Sequence, residues 1–162
     1  MNEARVRIEA ARPAGGRLQA AWLALPIHET ELKELLGIEP ESTDYRITDK
    51  ELPFADDVNE STTMETLNDL YRMYEALPAG IKEEYPAFMK YYANLEELYN
   101  YRDSIIHHAG CHSMADIARH VLEKNPANHL ILKYFDYEAC GQSLADNGRF
   151  IETKQGIYEI PR

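Results

Sequence analysis

Between Glu29 and Asp69 the chain carries thirteen carboxylates: Glu29, Glu31, Glu34, Glu39, Glu41, Asp44, Asp49, Glu51, Asp56, Asp57, Glu60, Glu65 and Asp69. Only Lys33, Arg46 and Lys50 oppose them, which leaves ten uncompensated negative charges in 41 residues. Ionised side chains are rarely buried without a partner, so every element in this stretch must turn most of its residues to water. The residues of this stretch that read as facing inward include Leu32, Leu35 and Leu36 on a short helix, Tyr45 and Ile47 on a strand, and Met64 and Leu67 on a second helix. The rest of the formal charge of −11 is close to balanced, with +2 over residues 1–28, −2 over 70–103 and −1 over 104–162. A localised surplus makes a directed field, where a diffuse one mainly keeps a protein in solution. Its plainest reading is a solvated face.

At 162 residues, with 44% apolar and 28% charged residues, the chain has the composition of a globular protein with a real core. The net charge argues against direct binding to nucleic acid or to an anionic membrane, both polyanions. It favours basic partners, including proteins whose basic grooves normally hold nucleic acid. No run approaches the roughly 18 apolar residues of a membrane span. The N-terminus, with Glu3 and Glu9, does not read as a secretory signal. Two cysteines, Cys111 and Cys140, fit a reduced, cytoplasmic setting.

The expected fold class is α+β, in three small units. Residues 1–60 read as an antiparallel sheet with a short helix. Arg5–Ala10 alternates as a half-buried strand, Pro13, Gly15 and Gly16 turn the chain, and Leu18–Leu25 returns. Thr30 can cap a helix that ends at Gly37 with Leu32, Leu35 and Leu36 inward, and Tyr45–Asp49 makes a third strand. Residues 61–103 read as a helical unit. Thr62 with Glu65 signals a capping box, Met64, Leu67, Tyr71 and Tyr74 form the apolar stripe, and a later helix is interrupted or restarted at Pro86. Asn94 with Glu97 caps another helix. The tyrosines at 71, 74, 85, 91, 92 and 99 are expected to pack between helices. Residues 104–162 read as a second α+β unit. It comprises a strand at Ser104–Ala109, a helix capped by Ser113 and Asp116, short helices around Pro126 to Tyr134, a helix from Asp136 and a closing hairpin at Gln155-Gly156.

Chemistry is sparse. His107, His108, Cys111 and His112 form the one ligand-rich cluster. A zinc site would need three or four converging ligands, and only His108, Cys111 and His112 could converge across Gly110. A Cys111 nucleophile activated by its sequence neighbour His112 lacks the geometry such pairs need. There is no phosphate-binding glycine loop, no G-x-S-x-G and no H-E-x-x-H. The chain therefore reads as non-enzymatic and without a cofactor. The acids themselves have a geometry. Carboxylates three or four apart on a helix lie about 5–6 Å from one another, a spacing comparable to that of neighbouring phosphates along a strand. Such groups could occupy the phosphate sites of a DNA-binding protein.

Four segments, AWLALP (21–26), DYRITDKELPF (44–54), NLEELYNY (94–101) and KYFDYEACGQSLADNGRF (133–150), resemble in order those of the ArdA antirestriction proteins carried on mobile genetic elements. The resemblance implies an elongated, three-unit protein that dimerises through its C-terminal unit. It also implies a mimic of B-form DNA that occupies the groove of type I restriction–modification enzymes, on the methyltransferase core. The alternative is a binding or regulatory module of the same fold with another basic DNA-binding protein as partner. No active site transfers with the resemblance. What transfers is acidic surface: the thirteen carboxylates above together with Glu75, Glu83, Glu84, Glu96, Glu97 and Asp103. The segment SMADIARHVLEK (113–124) is near neutral, so the mimic surface is expected on the N-terminal and central units, and pairing on the C-terminal one.

Overall fold

A computed structural model describes residues 4–12, 15–124 and 135–161. Pro13 of the expected turn and the short helices from Pro126 to Tyr134 lie outside the described residues, while Gly15 and Gly16 turn the chain as expected, Gly16 at φ 78°. The fold is α+β, with helices and two small antiparallel sheets. By its internal contacts the chain forms two compact units, Met1–Pro78 with Tyr91–Tyr99, and Ala79–Lys90 with Asn100–Arg162.

In the first unit, strands β1 (Arg5–Ala10), β2 (Ala20–Ala24) and β3 (Tyr45–Glu51) form a sheet in the order β2-β1-β3, every pair antiparallel. Val6, Ile8 and Ala10 alternate into the core with Leu23 and Ile47, which fixes the register, because a one-residue slip would expose the whole set. Strand β2 is shorter than its apolar run suggests, since the Leu18 N–H bonds the Leu35 carbonyl (3.0 Å) instead of joining the ladder. A bulge opposite Arg7 and Ile8 shifts the β1–β3 register at Thr48. Simple alternation would put Asp49 on the face of Tyr45 and Ile47. The bulge instead sets it opposite Arg7 on the solvent face and turns Lys50 opposite buried Val6. The Lys50 ammonium is taken up by the Val58 carbonyl.

Helix α1 (Glu29–Leu36) begins one residue before Thr30, with His28 in the cap position and no side-chain cap bond. Glu29 and Glu31 in its first turn and Lys33 in its last suit the helix dipole. Gly37 ends it at φ 68°, where its N–H reaches the Lys33 carbonyl (3.0 Å) and that of Ile38 reaches Leu32 (3.3 Å). Leu32 and Leu36 are buried as expected, but Leu35 is 37% exposed.

Helix α2 (Met64–Glu75) is capped by Thr63, whose hydroxyl accepts the Thr66 N–H, and not by Thr62. Thr62 is spent on an Asn59-centred turn: its hydroxyl accepts the Asn59 N–H, and the Asn59 side chain accepts the Ser61 N–H. A 3-10 turn at Ala55–Asp57 precedes it. Asn94 caps α5 (Leu95–Tyr101) as expected, accepting the Glu97 N–H (2.9 Å), while Glu97 reaches one residue past the cap to accept the Ala93 N–H (2.7 Å). Leu67, Leu95 and Leu98 are fully buried.

The second unit contains α3 (Ala79–Glu83) and α4 (Tyr85–Phe88), broken where Pro86 occupies the first turn of the new helix. A 3-10 turn at Arg102–Ser104 replaces the start of the expected strand, leaving β4 as Ile106–His108. Helix α6 (Met114–Lys124) packs on α7 (Tyr137–Asn147), and β5 (Phe150–Thr153) with β6 (Gly156–Glu159) closes a sheet in the order β4-β6-β5. Tyr85 and Tyr92 are buried and Tyr71, Tyr74 and Tyr99 half-buried, but Tyr91 faces water, outside the packing expected of it. Among the described residues no helix is long and apolar enough to cross a membrane.

Candidate partner-binding surface

In the first unit, the start of α1, the loop through Pro40–Tyr45 and the start of α2 enclose a cleft of about 800 Å³. Glu29, Glu41, Glu65 and Asp69 line it, with His28, Thr30, Ser42, Thr43, Thr63 and Asn68 as further polar residues and, among the described residues, no Lys or Arg. The four carboxylates come from three separate elements. Glu65 and Asp69 share a face because they lie one helical turn apart on α2.

Three non-local hydrogen bonds, made by two side chains, hold those elements together. The Asn68 side chain grips the backbone of Ile27 from both sides: its Oδ1 accepts the Ile27 N–H (2.7 Å) and its Nδ2 donates to the Ile27 carbonyl (2.9 Å). The Tyr45 hydroxyl accepts the N–H of Met64 (2.8 Å), an otherwise open donor at the start of α2. Asn68 thus ties α2 to the entry of α1, and Tyr45 ties it to β3. Neither residue was singled out for the surface from sequence. The available signal was Asn68 itself, a polar amide four after Met64 and three before Tyr71 on an otherwise apolar stripe.

None of the nineteen carboxylates singled out from sequence is buried. Glu29, Glu34, Glu39, Glu41, Asp44, Asp49, Glu51, Asp56, Glu60, Glu65, Glu75, Glu83, Glu96 and Asp103 are exposed, while Glu31, Asp57, Asp69, Glu84 and Glu97 are half-buried. They are not equivalent. Glu51 is engaged by Arg5 (2.6 Å), whose hydrogen bond holds its carboxyl below the usual range, and Arg5 also lies over the Trp22 ring. Glu39 pairs with Lys33 (3.6 Å) and Asp69 with Arg72 (3.2 Å). Glu97 is used as a cap and Asp57 accepts the Leu95 N–H (3.1 Å). Asp57 is pushed up by burial, which outweighs that bond, and the neighbouring Asp56 pushes it further. In the second unit, burial raises the Tyr158 hydroxyl, with Glu84 and Glu83 adding to the rise.

The histidine cluster is dispersed over other tasks. His107 stacks on Tyr158 at 4.1 Å and bonds the Gln155 carbonyl, and His108 meets Glu159 at 3.1 Å. Cys111 is buried with Ile117 and Ile157, and burial pushes its thiol up, with Asp116 and Glu123 reinforcing the shift. His112 is exposed and its backbone N–H donates to the Asp116 carboxylate (2.9 Å). Among the described residues no three His, Cys, Asp or Glu side chains are grouped to hold a metal, so His108, Cys111 and His112 do not converge.

A family model described as antirestriction protein (ArdA) matches residues 12–159, nearly the whole chain. The chain belongs to the ArdA family. Membership implies antirestriction activity, and with it interaction with restriction–modification enzymes, as an inhibitor. No curated protein matches the chain significantly. The ArdA match extends over both compact units, including the first with its acidic cleft and the second with its near-neutral α6.

Proposed function

We propose that this ArdA protein works as a DNA mimic, its carboxylates taking the phosphate positions in the DNA-binding groove of a type I restriction–modification enzyme. The observation that carries the reading is the cleft of the first unit, rimmed by Glu29, Glu41, Glu65 and Asp69 and with no Lys or Arg among its described lining residues. A basic groove meeting that rim gains from charge complementarity and from release of its own counterions, the same terms that bind DNA. The remaining exposed carboxylates of the nineteen extend the negative field. The protein acts by occupancy, catalyses nothing and binds no nucleic acid itself. It works in the cytoplasm, as a homodimer paired through residues 104–162, which stand in this reading as a separate unit from residues 1–60 and 61–103.

The test is a competition titration on the purified methyltransferase core of a type I enzyme with a short cognate duplex. Displacement of the duplex at low salt, weakening steeply as salt rises, is expected. Absence of displacement at low salt overturns the reading for that enzyme. Displacement of DNA from a different basic DNA-binding protein in its place would assign that partner instead.

A further inference from the structure

We infer that Asn68 and Tyr45 are positioning residues of the mimic surface: they set the relative placement of its carboxylates, and binding depends on that placement as well as on charge. The inference rests on the DNA-mimic reading and adds to it.

Phosphates on a duplex keep a fixed spacing, so a mimic gains most when its charges are held in register before binding. Order imposed at the moment of binding is subtracted from affinity. Glu29 stands at the start of α1, Glu41 in the following loop, and Glu65 and Asp69 on α2. Surface carboxylates on separate elements have no intrinsic reason to hold position, since mutual repulsion drives them apart. The double hydrogen bond between Asn68 and the Ile27 backbone joins α2 to the residue two before Glu29. The Tyr45–Met64 bond fixes the start of α2, one residue before Glu65, to the strand that follows the Glu41 loop. Both residues themselves line the cleft.

Charge and position make opposite predictions for Asn68→Asp. The substitution adds a carboxylate to the cleft, which tightens binding if charge alone matters. It also removes the Nδ2 donor and sets a carboxylate oxygen against the Ile27 carbonyl, which breaks the clamp. Tyr45→Phe removes one hydrogen bond with no change of charge.

The measurement is duplex displacement from the type I methyltransferase core over a salt series, with melting temperatures recorded for each variant. Wild-type protein is expected to displace the duplex, and both variants to bind about fivefold to tenfold more weakly. Tyr45→Phe should keep the wild-type salt slope, because no charge is lost. Ile8→Val, in the core of the same unit, is the control for stability alone and should bind as wild type. Binding by Asn68→Asp as tight as wild type or tighter overturns the inference, and so does equal weakening by Ile8→Val. If Asn68→Asp fails to fold by circular dichroism, Tyr45→Phe decides: wild-type affinity overturns the inference and weaker binding sustains it. Failure of the wild-type protein itself to displace DNA is a different result, and removes the mimic reading on which the inference stands.

Discussion

The Asp57 carboxylate accepts the N–H of Leu95, 38 residues away in sequence, at 3.1 Å. The bond satisfies an open donor at the start of α5, yet the carboxyl is pushed above its ordinary range, first by burial and further by Asp56. The folded state therefore holds a proton on Asp57 more tightly than the unfolded chain does. The group favours folding most in acid, and that contribution is lost as pH rises through its folded value. Asp57→Asn keeps an acceptor for Leu95 and removes the charge. It should raise the melting temperature slightly at neutral pH, and the gain should vanish in acid, as thermal melts across pH will show.

Asp116 has the opposite sign. Its carboxylate accepts the His112 N–H (2.9 Å), and its own N–H reaches the Ser113 hydroxyl (3.2 Å) at the start of α6. The His112 bond holds the carboxyl below its usual range, helped by Arg119 and Ser113 against some desolvation. Its stabilising contribution is complete above the unfolded carboxylate value and is lost as pH falls through the depressed folded value. Asp116→Asn should lower the melting temperature at neutral pH, with the difference from wild type shrinking in acid.

Gly141 lies in the middle of α7, where alanine is ordinarily better than glycine by about 0.5–1 kcal/mol. Here a Cβ would stand 2.5 Å from the carbonyl carbon and oxygen of Met114 and 2.7 Å from the Ala115 nitrogen, all backbone atoms of the α6 segment. Backbone cannot rotate away as a side chain can. Gly141→Ala should therefore destabilise the second unit, by about 1–3 kcal/mol, measured by denaturant unfolding. A gain in stability would contradict the close helix approach.

Much of the fold was legible because its signals are local. Gly37, the Asn94–Glu97 and Ser113–Asp116 caps, Asp136 and the Gln155-Gly156 turn each act within a few residues, so the sequence alone shows them. The Thr62 cap failed because Asn59, three residues earlier, competes for the same hydroxyl. The bulge that turns Asp49 outward depends on pairing with β1, which no local pattern encodes. At the surface, counting charges found the acids of the cleft. It did not separate Glu39, Glu51 and Asp69, each met by a base, from the rest, and it did not reveal the Asn68 and Tyr45 bonds, which span 41 and 19 residues.

The claim that binding resides in the carboxylates of the first unit's cleft is tested most directly by moving the same loss of charge around the molecule. Glu29, Glu41 and Glu65 replaced together by Gln remove three charges from the cleft. Glu123, Glu138 and Glu152, exposed in the second unit, replaced by Gln remove three from elsewhere. Affinity for the type I methyltransferase core is then measured as a function of salt. The cleft variant should bind more weakly, with a salt slope reduced by about three, while the second-unit variant keeps the wild-type affinity and slope within error. Equal losses in the two variants, or none in the first, would contradict a localised mimic surface.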